Sequence, residues 1–262
     1  MQLTLEGKTA LVTGGSRGIG RAIATEFARA GAGVMITSRT AADLESAAAE
    51  IDGDVAWHEA NVGDEASAEA AVAATVERFG GIDILVNNAA TNPYWGSLMG
   101  ITAAQMAKTV DINLCAPVRW SQLVYQAGMA DHGGVILNIS SVGGLTVEKD
   151  IGYYNATKAG LIHITRQLSV ELSPLVRVVG IAPGLVKTDM AAALWDGRED
   201  VLASRIPRGR LGLPLDIGAA ALFLVGPSAD WITGTTLIVD GGMHLAIEGR
   251  ALSQAADEPD LV

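Results

Sequence analysis

The chain reads as an α/β protein built on a doubly wound parallel sheet of about seven strands with helices on both faces. Three observations predict this. Short β-branched runs alternate with Ala-rich segments of helical length along the 262 residues. Several of those runs are apolar without alternation, the pattern of strands buried on both faces. The first run passes directly into a glycine-rich turn that opens a helix.

In chain order the expected strands are Thr9–Thr13, Val34–Ser38, Val55–His58, Ile84–Asn87, Val135–Ser140, Val176–Ala182 and Thr236–Val239. Helices are expected between them, over about 18–30, 41–51, 64–79, 102–128, 153–172 and 214–226. Two stretches resist regular assignment. Residues 88–101 carry Pro93, Gly96, Gly100 and the aromatic pair Tyr94-Trp95, and residues 183–213 carry Pro183, Gly184, Gly197, Pro207, Gly209 and Gly212. Long irregular segments of this kind serve as substrate loops or lids. No repeat and no break in composition divides the chain, so one domain is expected over 1–247, followed by an acidic tail over 248–262.

Hydrophobic residues make up 49% and charged residues 18%, which supports a large core and excludes a disordered chain. A single cysteine, Cys115, excludes an internal disulfide, and the scattered His58, His132, His163 and His244 give no metal-ligand cluster, so no metal is expected. The net charge of −11, with no basic stripe, argues against a nucleic-acid partner. No apolar run is long enough to span a membrane, and the N-terminus lacks the pattern of a secretory signal. A cytoplasmic location is the resulting expectation.

The glycine turn is Thr13-Gly14-Gly15-Ser16-Arg17-Gly18-Ile19-Gly20. Its spacing, G-x-x-x-G-x-G, fits an ordinary strand-to-helix turn as well as a phosphate cradle. Its place at the first βα junction of an alternating chain favours a dinucleotide, whose pyrophosphate meets the helix N-terminus, and makes the fold Rossmann-like. An acid about 20 residues on would hold the ribose 2′-OH of NAD. Ser38 stands at that place, followed by Arg39. Either Arg17 or Arg39 alone reads as a solvated surface group. Together, with the carboxylate missing, they point to the 2′-phosphate of NADP(H).

Tyr154-Asn155-Ala156-Thr157-Lys158 opens the expected helix over 153–172 and puts Tyr154 and Lys158 on one face. A tyrosine must lose about 3 pKa units to act as a base at neutral pH, and a neighbouring ammonium favours the phenolate. Tyr153 lacks the lysine partner and reads as packing. Upstream, Ser140 and Ser141 lie at the carboxyl end of a central strand, where ligands bind in such sheets. Ser140 reads as part of a turn.

These pieces together resemble a short-chain dehydrogenase/reductase of the single-domain type. The resemblance rests on TGGSRGIG (13–20), NNAA (87–90), Asn113 in DINL, ISS (139–141), YNATK (154–158), APG (182–184) with Thr188, and ITGTTLIVDGG (232–242), and runs from about 5 to 245. It implies four catalytic residues. Tyr154 would be the general acid/base and Ser141 would hold the substrate oxygen. Lys158 would bind the nicotinamide ribose and lower the Tyr154 pKa, and Asn113 would position a water. It further implies cofactor contacts from Gly14, Ser16, Arg17, Gly18, Ile19, Gly20, Ser38, Arg39, Asn61, Val62, Asn88, Ala89, Ala90, Tyr154, Lys158, Pro183, Gly184, Val186 and Thr188. A homotetramer is implied too. Asn61-Val62 replaces the family's frequent Asp-Val, and Ala90 a familiar glycine.

Tyr94, Trp95, Leu145, Met190, Leu194 and Trp195, with Val147 and Ile151, fall in the loops expected over the nicotinamide. As a set they describe an apolar pocket for a ketone, aldehyde or acyl chain. The neighbouring sequence is similar to NADP-dependent carbonyl and retinal reductases and to 3-oxoacyl-carrier-protein reductases. Docking an acidic carrier needs a basic surface, and only Arg205, Arg208 and Arg210 offer one near the lid. A non-catalytic, cofactor-sensing relative would be marked by loss of the tyrosine or the lysine, and both are present.

Overall fold

The structure is a computed structural model that describes residues 3–246. The expected tail over 248–262 lies outside the described residues. Seven parallel strands form one sheet in the order β3-β2-β1-β4-β5-β6-β7. They are β1 (Thr9–Thr13), β2 (Gly33–Ser38), β3 (Val55–Glu59), β4 (Ile84–Asn87), β5 (Gly134–Ile139), β6 (Val176–Pro183) and β7 (Thr236–Val239). The strand order reverses at β1, so the carboxyl ends of β1 and β4 flank the crevice where such sheets bind ligands.

Alternate residues of each strand feed two separate cores. Ala10, Val12, Val34, Ile36, Ile84, Val86, Leu137 and Ile139 face one layer. Leu11, Met35, Leu85, Ile136 and Val178 face the other. Both layers are covered, so the strands need apolar residues at every position rather than at every second one. The first layer is closed by α1 (Gly18–Arg29), α2 (Ala41–Glu50) and α10 (Pro214–Val225). α1 and α10 touch closely enough that a Cβ at Gly218 would stand 2.9 Å from the Ala22 carbonyl oxygen. The second layer is closed by α3 (Glu65–Phe79) and α5 (Ala116–Val124). There the buried Trp120 donates its indole N–H to the Val62 carbonyl at 3.1 Å.

The expected helix over 102–128 departs from the sequence reading. It is divided into α4 (Ala103–Val110), a wide π turn over Asp111–Cys115, α5, a second π turn over Tyr125–Met129 and the short α6 (Ala130–His132). Pro117 sits in the first turn of α5. Lacking an N–H, it cannot bond the carbonyl four residues back, and the chain widens just before it. α7 (Gly152–Glu171) is continuous. Within 183–213 lie α8 (Ala192–Trp195) and α9 (Glu199–Ala203), preceded by a 3₁₀ turn over Asp189–Ala191. Of the expected pocket residues here, Met190 is exposed on the turn, while Leu194 and Trp195 are half-buried on α8.

Candidate active site

The glycine turn is a backbone structure first. Gly14 and Gly18 hold φ of +65° and +55°, a region that L side chains rarely adopt. A Cβ on Gly20 would stand 2.2 Å from the Gly14 carbonyl oxygen and 2.4 Å from Asn88 Nδ2. Asn88 explains that crowding. Its amide donates to the Thr13 carbonyl at 2.8 Å and the Gly14 carbonyl at 3.1 Å, tying the turn to the end of β4. The Thr13 hydroxyl donates to Val86 O and accepts from the N–H groups of Asn88 and Ala89. Thr13 was not among the expected site residues, although its place at the first strand's end was the available signal. Arg17 precedes α1 without a side-chain cap, and no acid occupies the first turn. The N–H end of α1 therefore faces the crevice uncapped, a cradle suited to an anion.

Ser38, half-buried, ends β2, and the exposed Arg39 follows with no ion pair among the described residues. Arg17 reaches Asp189 of the 183–213 segment at 3.7 Å. Asn61 bonds its own turn, accepting from the Gly63 N–H at 3.3 Å, and Val62 is held through its carbonyl by Trp120. Ala90 and Ile19 are half-buried beside the crevice. Past β6, Gly184 runs so close to Asp240 that a Cβ would stand 2.6 Å from the aspartate Cβ. Val186 pairs with Gly212, and the Thr188 side chain lies against Gly18.

At the carboxyl end of β5 the hydroxyls divide their tasks. Ser140 is buried and donates to the Lys158 carbonyl at 2.9 Å, fastening the strand end to α7. Ser141 accepts from the Gly143 N–H at 3.1 Å, which leaves its hydroxyl hydrogen free to act on the Tyr154 phenol. The Tyr154 phenol is pushed up to about 12, mainly by burial, with the Ser141 hydroxyl pulling it down and the Glu148 carboxylate raising it. Lys158 is buried, donates Nζ to the Ile139 carbonyl at 2.8 Å and lies 5.7 Å from the Tyr154 ring centroid. Burial pulls this ammonium down to about 8. The expected lowering of the phenol pKa by Lys158 is thus outweighed by desolvation in the protein alone.

Asn113 lies in the π turn, fully buried. Its amide donates to the Thr91 carbonyl and to the Thr157 hydroxyl, and its oxygen accepts from the Thr91 N–H. Behind the site, Asn87 donates to Asn138 at 2.9 Å, and Asn138 to Thr165 at 3.0 Å. This buried row fixes β4, β5 and α7 at the level of the catalytic cluster, and it was not anticipated.

The expected substrate residues are less closely gathered. The Tyr94 hydroxyl donates to Ser97 O at 2.8 Å and closes its own turn. Trp95 and Leu145 are exposed, as is Met190. Trp195 donates its indole N–H to the Thr188 carbonyl at 3.4 Å, which anchors α8 to the segment beside Gly18. Arg210 is engaged by both oxygens of Asp216 at 2.7 and 2.8 Å, so it is not free to meet a carrier phosphate.

Comparison with known proteins gives this geometry its context. Residues 14–244 match the family model described as enoyl-(acyl carrier protein) reductase. The chain is 38% identical over 244 residues to dehydrogenase/reductase SDR family member 4 of Pongo abelii, covering 91% of this chain and 88% of the relative. Among solved structures it resembles 3-ketoacyl-(acyl-carrier-protein) reductase from Brucella melitensis complexed with NADH, with TM-score 0.86, 34% identity and coverage of 92% and 99%. It also resembles a variant actinorhodin polyketide ketoreductase with NADPH, with TM-score 0.86, 32% identity and coverage of 93% and 98%. The chain belongs to the short-chain dehydrogenase/reductase family, whose members are oxidoreductases acting on alcohol and carbonyl groups.

Proposed function

We infer that the protein is an NADP(H)-dependent oxidoreductase that moves hydride between the nicotinamide and a carbonyl or secondary alcohol on an apolar substrate: a ketone, an aldehyde or a 3-oxoacyl thioester. The observation that carries this reading is the joined Ser141–Tyr154–Lys158 cluster at the crevice end of β5. The residues present fit a dinucleotide: the glycine turn is a cradle that a Cβ would fill, and the α1 N-terminus is uncapped. Gly14 to Gly20 would hold the pyrophosphate, and Arg17, Ser38 and Arg39 the 2′-phosphate. Lys158 would hold the nicotinamide ribose. The bound cofactor supplies or accepts the hydride.

This chain's own residues handle the proton. With its phenol pushed up to about 12, Tyr154 is protonated at neutral pH and serves as the acid that protonates the carbonyl oxygen during reduction. Ser141 donates a hydrogen bond to that same oxygen as its charge grows. Lys158, still mostly cationic at pH 7, steadies the phenolate left behind. Asn113 keeps the Thr91 loop beside the cluster.

Following NADPH oxidation against a panel of ketones, aldehydes and 3-oxoacyl thioesters tests the reading; no turnover with any member overturns it. A 3-oxoacyl-carrier-protein reductase is the second reading, favoured by the likeness to the Brucella melitensis enzyme. A cytoplasmic homotetramer, one catalytic domain over 1–247 and an acidic tail complete the proposal. The exposed Ala156 and Ala159 with half-buried Gly160 on α7 support close subunit packing there.

A further inference from the structure

Thr157 stands between two of the expected catalytic residues and is bonded to both. It is 3% exposed and lies on α7, three residues after Tyr154. Its hydroxyl oxygen accepts from the Asn113 amide at 3.2 Å, and its hydroxyl hydrogen goes to the Tyr154 carbonyl at 2.7 Å. A single oxygen thus joins the widened turn over 111–115 to the start of α7.

A helical threonine ordinarily bonds back to its own helix. Thr25, Thr75 and Thr109 do so, each donating to the carbonyl four residues back. Thr165 accepts from Asn138 and still reaches four residues back, to Leu161. Thr157 reaches only three back. Four back would be Tyr153, read above as packing; three back is Tyr154. In a continuous helix the carbonyl at 154 also takes the N–H at 158. The main chains of Tyr154 and Lys158 therefore meet at the atom that Thr157 holds.

The other end of this series is fixed as well. Asn113 holds the Thr91 N–H and carbonyl at 2.8 Å each, so the loop leaving β4, the widened turn and the main chain of Tyr154 form one run of hydrogen bonds. From the end of β5, the buried Ser140 donates to the Lys158 carbonyl at 2.9 Å. Two buried hydroxyls hold the opening of α7 by the carbonyls of the residues that carry the phenol and the ammonium. The Thr157 hydrogen is committed to one of those carbonyls, so this residue acts through its neighbours and not on a substrate.

We propose that Thr157 is a positioning residue for the reaction, carrying the placement of Asn113 into the turn that bears Tyr154 and Lys158. The phenol transfers its proton only when it and the Ser141 hydroxyl converge on one substrate oxygen. A shift of the α7 turn moves the phenol with it, and a misplacement of about 1 Å costs about a hundredfold in rate. This rests on the oxidoreductase reading above and deepens it at the same site.

The test uses the full chain with NADPH and whichever ketone, aldehyde or 3-oxoacyl thioester of the panel it reduces fastest. Thr157→Val keeps the shape of the side chain and removes the hydroxyl. It should lower kcat by about ten- to a hundredfold and slow single-turnover reduction by the same factor. KM and NADPH affinity should stay nearly unchanged, because Asn113 still holds Thr91. Thr157→Ser restores the hydroxyl and should restore most of the rate. In a double-mutant cycle, Thr157→Val added to Asn113→Ala should lower kcat little further, because the series is already broken. Thr157→Ala, a better helix former, carries the same comparisons if the valine variant does not fold. An unchanged kcat without the hydroxyl overturns the proposal, as does a loss that serine fails to repair or one that adds in full to that of Asn113→Ala. A wild type inert toward the whole panel overturns the oxidoreductase reading and the proposal together. An active wild type with an equally active valine variant overturns the proposal alone.

Discussion

Asn113 holds Thr91 by both of its main-chain polar groups, accepting from the N–H and donating to the carbonyl, each at 2.8 Å. A side chain from a widened helical turn thus acts as the missing strand partner for the loop that leaves β4. Asn113→Ala would leave two main-chain groups of the partly buried Thr91 without their protein partner, at a cost of about 1–3 kcal/mol. A lower urea midpoint is expected, together with a raised KM, because the 91–100 wall loses its anchor. An unchanged midpoint would show that water replaces the amide fully.

Tyr154→Phe keeps the ring and removes the proton donor. A rate loss of about 10²–10⁴-fold is expected, with NADPH affinity nearly intact by fluorescence titration. Ordinary turnover by the variant would move the acid to another residue.

Lys158 exerts an opposite pull on stability and function. Its ammonium is buried and pulled down to about 8, below the usual lysine value of 10.5. A group with a lowered folded pKa of this cationic type binds fewer protons folded than unfolded between those two values. Stability from this site therefore rises as pH climbs from about 8 towards 10.5, and the penalty is fully present below pH 8. Lys158→Met should stabilise the cofactor-free protein at pH 7 by about 1–3 kcal/mol while abolishing turnover. The gain should shrink in thermal melts taken above pH 8. A variant less stable than wild type at pH 7 would show that the bond to Ile139 outweighs desolvation.

Much of this was legible in the residues. Strands such as Thr9–Thr13 and Ile84–Asn87 announce themselves because burial on both faces demands unbroken apolar runs. The glycine turn is legible because only glycine tolerates its φ angles and close contacts. Ser141 follows β5, and Tyr154 and Lys158 stand in the first two turns of α7. The break at Asn113 was hidden: helix periodicity continues across a π turn, and only Pro117 hints at it.

Cofactor choice depends on positions outside the chemistry. Titration should show tighter binding of NADPH than NADH, and Ser38→Asp combined with Arg39→Ala should reverse the order. Equal affinities in the wild type would refute the assignment. Asp189 competes for Arg17 as an exposed ion pair, so Asp189→Ala should tighten NADPH by only a few-fold, within the range of about 0.2–1 kcal/mol for such pairs.

The segment 185–210 should respond to both ligands. Trp195 is tied to Thr188, and Thr188 lies against Gly18, so cofactor binding reaches α8 through two contacts. Hydrogen exchange over this segment is expected to slow with NADPH and further with substrate. Trp195→Ala should raise KM for bulky ketones more than for small ones. Equal exchange with and without ligands would make the segment a fixed wall.

The contact between α1 and α10 bears on how the chain is born. Ile23, Ala24 and Phe27 are fully buried in a layer that Ile217 and Ala221 complete from the other end of the sequence. On the ribosome, the glycine turn and α1 have no second half to close against until α10 has emerged. Their apolar face waits through nearly the entire synthesis, a long-range closure that slows folding and invites association with other nascent chains. Chains released before Pro214 should therefore be captured by holdase chaperones, and the protein's yield in cells should depend on its final quarter more than on its first.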